Sequence, residues 1–155
     1  MKKSTILCTC AVFFTLLISG LAAYSQFEPE PPSLMLFIDD HPVKMKPGTY
    51  SLEKWGRAAI SDTPSDPAAI VREYNSIVVS NLNHLSFKFD EEPQSVKYYL
   101  WEMATGKLEC KGFEKKQLKL MDTNVPQGEY ALEVRATWES GYVFYHARIS
   151  IETDN

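Results

Sequence analysis

At 155 residues, with 20 Asp+Glu against 16 Lys+Arg, the chain carries a formal charge of −4. That balance argues against a nucleic-acid or anionic-lipid partner, since both need a net basic surface. The length suits one domain with a core of its own. Of the three cysteines, Cys8 and Cys10 lie in an early apolar run, so only Cys110 remains for the body and no intrachain disulfide can staple it.

Residues 1–25 read as an export signal. Lys2 and Lys3 form a basic start, Ile6 to Leu17 is the apolar stretch, and Ala23-Tyr24-Ser25 fits a small-residue cleavage site. The apolar run is short for a membrane span, and an uncleaved anchor is the alternative. No Cys follows Ser19-Gly20-Leu21-Ala22-Ala23, so a lipid-modified cysteine is not expected there. Cleavage leaves 14 Lys+Arg against 20 Asp+Glu, about −6, on a chain that is secreted or held at the cell envelope without inserting in the membrane. The lack of any N-x-[ST] acceptor suits a bacterial source.

Residues 26–33 form a Pro- and Glu-rich linker, expected to be extended. Leu34–Ile38 is a short apolar strand. A turn at Asp39-Asp40-His41-Pro42, a return through Val43-Lys44-Met45, and a second turn at Pro47-Gly48 lead into Thr49–Trp55. Ser61–Ala69 (SDTPSDPAA) is the longest cluster of turn formers. Within it, Asp66 and Pro67 are placed to cap and open one helical turn running to Glu73. Ile77-Val78-Val79 is a strand. Leu85, Phe87 and Phe89 then alternate with His84, Ser86 and Lys88 in another, closed by Asp90-Glu91-Glu92-Pro93.

Ser95–Glu102 is the next strand, and a Thr105-Gly106 turn leads to Lys107–Gly112. Lys116–Leu120 is short, and Asp122 to Gly128 runs into a long hairpin. There Tyr130, Leu132, Val134, Ala136 and Trp138 alternate with Ala131, Glu133, Arg135 and Thr137. After a turn at Glu139-Ser140-Gly141, Val143, Tyr145, Ala147, Ile149 and Ile151 alternate with polar and aromatic residues. About seven to nine strands at intervals of roughly 8–12 residues predict an all-β, immunoglobulin or fibronectin-III-like antiparallel β-sandwich. It would fill residues 34–155, with a jelly roll or small barrel as the runner-up. Gly128-x-Tyr130-x-Leu132 fits a tyrosine corner, in which the Tyr130 hydroxyl bonds back to backbone near Asp122 to Val125.

Gly48-Thr49-Tyr50-Ser51-Leu52, Asp62-x-Pro64-Ser65, the run ending Phe87-Lys88-Phe89, Pro93 and Leu100-Trp101 form a recognisable series. It is similar to small secreted or lipoprotein-type immunoglobulin-like domains of Gram-positive bacteria, also found appended to membrane-embedded sensor-type metallopeptidases. In those, a G-[ST]-Y-x-W segment precedes a D-x-x-x-P loop, and the end reads like G-x-Y-x-Y-x-V-x-x-x-W-x-x-G, which Gly128 to Gly141 follows here with Leu132 at the second Tyr. The resemblance spans roughly Pro42 to Glu152. It implies a fold and a location, not an activity. The Cys pair that many such domains carry around the first segment is missing at Ser51 and near Ile60, as is a lipid-attachment cysteine.

No HExxH, CxxC, Gly-rich phosphate loop or GxSxG is present, so an enzyme is not expected, nor is a cofactor. Cys110 alternates with Lys107, Glu109 and Lys111 and is expected to face inward, packing as a small hydrophobe. His41, His84 and His146 are scattered and read as surface residues. Asp39-Asp40 and Asp90-Glu91-Glu92 lack the ligand spacing of a calcium loop and read as charged turns, with calcium held by a loop the sharper alternative.

Two functions remain. One is an extracellular binding module for a protein or cell-envelope component, with a weak homodimer also allowed. If Ser95–Glu102 pairs with the penultimate strand, its outward Lys97, Tyr99 and Trp101 adjoin Glu133 and Arg135, and then Phe144, His146 and Arg148 of the last strand. Aromatics interleaved with Arg on a sheet face are the composition of a recognition surface. The competing expectation is that the linker covers this face. The other function is a protease-inhibitor-like sandwich that presents the Pro-stiffened loop 61–69.

Overall fold

The computed structural model describes residues 2–113, 117–120 and 124–152; Lys116, Asp122 and Thr123 of the expected elements lie outside them. In chain order come helix α1 (Lys2–Gln26), β1 (Leu34–Ile38), β2 (His41–Lys44), β3 (Lys46–Lys54), β4 (Arg57–Ser61) and helix α2 (Pro67–Val71). Then follow β5 (Ile77–Ser80), β6 (His84–Phe89), β7 (Ser95–Glu102), β8 (Leu108–Phe113), β9 (Gln117–Lys119), β10 (Gly128–Trp138) and β11 (Gly141–Glu152).

The period-2 pattern at the end of the chain makes β10 and β11 the longest strands, paired from Gly128↔Ile151 to Trp138↔Gly141. Their inward residues, among them Tyr130, Leu132, Val134, Val143, Tyr145 and Ile149, are all buried. Gly141 has φ +136, and a Cβ there would collide with the Ser51 carbonyl, so only glycine lets β3 close on the hairpin. The larger sheet runs β4-β3-β11-β10-β7-β8, with β5 also paired to β11; the smaller runs β2-β1-β6-β9. Leu34, Leu36, Leu85 and Phe87 of the smaller sheet meet Val96, Tyr98, Leu100 and Leu132 of the larger in one core. Each such side chain contributes about 1.5–3 kcal/mol by leaving water.

Two packed sheets, with β7, β10 and β11 adjacent in one and β1 and β6 in the other, make an immunoglobulin-like β-sandwich. The described residues hold eleven strands rather than seven to nine, and β5 runs parallel to β11 instead of antiparallel. The surplus arises between β1 and β5. Pro47-Gly48 is not a turn: β3 continues through it, with Pro47 opposite Tyr145 where the β3–β11 register slips. A residue without an N–H is tolerated at such an irregularity. β4, which the sequence did not announce, pairs with β3 through a turn whose two residues, Trp55 (φ 54) and Gly56 (φ 72), are both left-handed. That is the handedness tight hairpins need.

The tyrosine corner is formed, one residue beyond the expected window: the Tyr130 hydroxyl donates to the Pro126 carbonyl at 2.9 Å. The linker is docked. Pro29 is buried, the Tyr145 hydroxyl donates to the Pro32 carbonyl, and burial pushes the Tyr145 phenol well up. α1 meets the body where Tyr24 donates to the Trp55 carbonyl at 2.9 Å and Phe27 packs on Trp55 with ring centres 4.7 Å apart. Among the described residues no helix is long and apolar enough to cross a membrane.

Candidate binding face

Alternation in β7, β10 and β11 sends every second side chain away from the core, and the register sets them in rows. Lys97 lies opposite Arg135, and Arg135 opposite Phe144. The next row is Tyr99, Glu133 and His146, and the third is Trp101, Ala131 and Arg148. All seven residues expected to form a recognition surface therefore share one face. Tyr142, 39 % exposed, extends it along β11, and Ile60, 75 % exposed, adjoins it from β4 through Ser51. Tyr142 was legible in the same alternation; Ile60 was not, because β4 was not expected.

Half of this face is covered, by the segment between β4 and β5 and not by the linker. Asp66 accepts from the Ala68 N–H at 3.0 Å and Pro67 opens α2, as the sequence predicts. α2 lies against β10, β11 and β7 with Pro67, Ala68 and Val71 buried. Beneath this segment Ala131 is wholly buried although it points outward. Arg148 is used up in holding the cover, donating to Glu129 at 2.8 Å and to the Arg72 carbonyl at 3.0 Å. Trp101 is half-buried, and its Nε1 finds no protein partner. Ahead of α2 the chain is tied down by Thr63, whose hydroxyl and N–H meet the Thr49 hydroxyl at 2.7 and 3.2 Å. The loop 61–69 thus folds back on the sheet.

His146 is accordingly no surface residue. It is 1 % exposed, and its Nε2 lies 3.2 Å from Glu133, itself 3 % exposed. Arg135 donates through Nε and Nη2 to the other Glu133 oxygen, both at 2.8 Å. Burial alone would push the Glu133 carboxyl up. The hydrogen bond to His146 and the Arg135 charge together outweigh it and hold the pKa below its ordinary 4.5. With Glu133 ionised, Nε2 donates to it, and the buried Nδ1 has no protein partner. The guanidinium carbon of Arg135 stands 4.7 Å from the Tyr99 ring centre and 4.6 Å from that of Phe144. Glu133 fixes the cation, and two rings on neighbouring strands share it.

A cavity of about 230 Å³ opens between the 62–65 segment and this face, with Thr49, Asp62, Ser65, Arg135, Phe144 and His146 in its walls. The Nδ1–Cε1 edge of the imidazole stands over Gly48, where an added Cβ would come within 2.8 Å of both atoms. The position is glycine for want of space, not for backbone conformation.

The remaining candidates are dispersed. Cys110 is half-buried against the core rather than enclosed by it, and burial pushes its thiol up. His41 and His84 are exposed. Asp39 is engaged in its turn, accepting from the His84 N–H at 3.0 Å and the Asn83 amide at 2.6 Å. Among the described residues, no group of three His, Cys, Asp or Glu side chains could hold a metal ion. No family model and no curated protein matches the chain.

Proposed function

We propose that this chain is an exported, non-enzymatic binding module. It presents the open half of the outer face, carried by Lys97, Tyr99, Arg135 and Phe144, to a protein or cell-envelope partner. The observation that carries the reading is the placement of Arg135, fixed by Glu133 and shared by Tyr99 and Phe144 on three adjacent strands. A cation held in place by a buried carboxylate loses little freedom on binding, and aromatic neighbours add contact area at small entropic cost. Tyr142 and Ile60 widen the surface. Export rests on Lys2, Lys3, the apolar stretch and the Ala23-Tyr24-Ser25 site. The likeness to small secreted bacterial domains supports the same location.

The covered half decides which substitutions test the surface. Trp101 lies beside the cover, so the informative pair is Tyr99→Ala with Arg135→Ala. Sedimentation of the purified protein with envelopes of the producing cells is the assay. The double variant should unfold cooperatively at a lower temperature, because Glu133 loses its cation. Below that transition it should lose co-sedimentation at least ~10-fold, the effect of about 1.4 kcal/mol of lost contact. Undiminished co-sedimentation of a folded double variant would remove this face from the function.

A further inference from the structure

The cavity beside Arg135 has a chemistry of its own. Its walls offer donors and acceptors side by side: the Asp62 carboxylate and Ser65 hydroxyl at the rim, Arg135 at one side, and His146 below. The imidazole is 1 % exposed, and its Nδ1 has no protein partner. Buried polar atoms are rarely left so, and a side chain that lines the cavity can be completed by what enters it. Glu133 already neutralises Arg135, which leaves one uncompensated carboxylate, Asp62, at the exposed rim. A carboxylate or phosphate ligand would meet Asp62 and Glu133; an ammonium would meet Arg135. The apolar part of the lining is Pro64, Ile70 and Phe144. At about 230 Å³ the space is below the range of drug-sized pockets, roughly 300–1,000 Å³, and fits one small ring.

We propose that this cavity binds a single neutral sugar ring, a unit of an envelope polysaccharide, with its C–H face on Phe144 and Ile70. Ring hydroxyls, each at once donor and acceptor, bond Asp62 and Arg135, and one pairs with Nδ1 of His146. This rests on the binding-module reading and names the ligand class for part of the same face. The segment that covers His146 is then the roof of a saccharide site rather than a shield. Contacts to one ring give weak binding, on the order of 1 mM, and the polymer gains affinity by repetition.

The test is an NMR titration of the purified protein with glucose, galactose and N-acetylglucosamine, and with acetate and methylammonium as charged probes. At least one sugar should shift the signals of Thr63, Ser65, Ile70 and Phe144 saturably, with little change from the charged probes. Asp62→Asn, on an exposed loop that carries no core contact, should weaken that sugar ~5-fold or more, as should Phe144→Ala if it folds. Equal responses to acetate or methylammonium overturn the assignment, and so does an unaltered sugar affinity in folded Asp62→Asn. If no sugar binds while the protein still sediments with envelopes, the saccharide site falls and the binding face stands. If neither occurs, both fall.

Discussion

Glu133 and His146 face each other across β10 and β11 at 3.2 Å, both more than nine-tenths buried although both point away from the core. The burial is made by the segment after β4, so the pair sits in a second, smaller interior on the outside of the sandwich. A buried carboxylate survives there because Arg135 and His146 satisfy both of its oxygens.

Acid should undo this arrangement. The Glu133 carboxyl is held below its ordinary 4.5 in the folded chain, so below that value the unfolded chain binds more protons. The stability it contributes is present above about pH 4.5 and is lost as pH falls through the lowered folded value. Glu129, bonded to Arg148 and Ser76, is lowered too and acts in the same direction. Urea unfolding between about pH 6 and 2 should show this loss. Glu133→Gln should flatten the slope while costing ~3 kcal/mol at neutral pH, the scale for breaking a buried pair. An unchanged acid slope in that variant would show that the carboxylate is not so held.

The tyrosine corner predicts a cost confined to one hydroxyl. Tyr130→Phe leaves the Pro126 carbonyl without its donor and should destabilise by about 1–2 kcal/mol in equilibrium denaturation. A change below ~0.3 kcal/mol would mean that this bond contributes nothing to holding the crossover.

At Gly48 the prediction is steric. Gly48→Ala sets a methyl against the His146 ring, an overpacking expected to cost about 1–3 kcal/mol. Trimming the ring with His146→Ser should make the same alanine much cheaper. A double-mutant cycle should return a coupling of at least ~1 kcal/mol. Additive costs would separate the two positions.

Cys110 should label more slowly with a thiol reagent in the folded protein than in the urea-unfolded chain at the same pH. Burial raises its pKa and narrows access to it. Because it is half-buried, labelling should quicken steadily with rising pH below the unfolding transition. A rate equal to that of the unfolded chain would place the thiol at the surface.

What the sequence disclosed follows from what alternation encodes. Val96, Tyr98 and Leu100 in β7, and the eleven paired positions of the last hairpin, follow local period-2 patterns, so both inner and outer faces were legible. The Asp66-Pro67 start of α2 was legible because a cap needs only adjacent residues. Alternation says which way a side chain points but not what lies over it. His146 therefore read as exposed, and the cover came from residues 62–73, about 80 positions earlier in the chain. β4 was missed for a related reason: Trp55-Gly56 is not a composition that signals a left-handed hairpin turn, and Ala58, Ala59 and Ile60 show no polar alternation.

The edge of β11 is used twice, by β3 along residues 141–146 and by parallel β5 along 149–152. Residues 62–76 are thus a length of chain whose two ends are fastened to the same sheet, while its middle roofs the cavity. Lengthening such a closed loop is entropically mild, ~0.6 kcal/mol for each doubling, and none of the inter-sheet core would have to move. Floor and roof can therefore diversify independently: the sandwich supplies a constant platform, and a short exchangeable cassette decides what may rest on it.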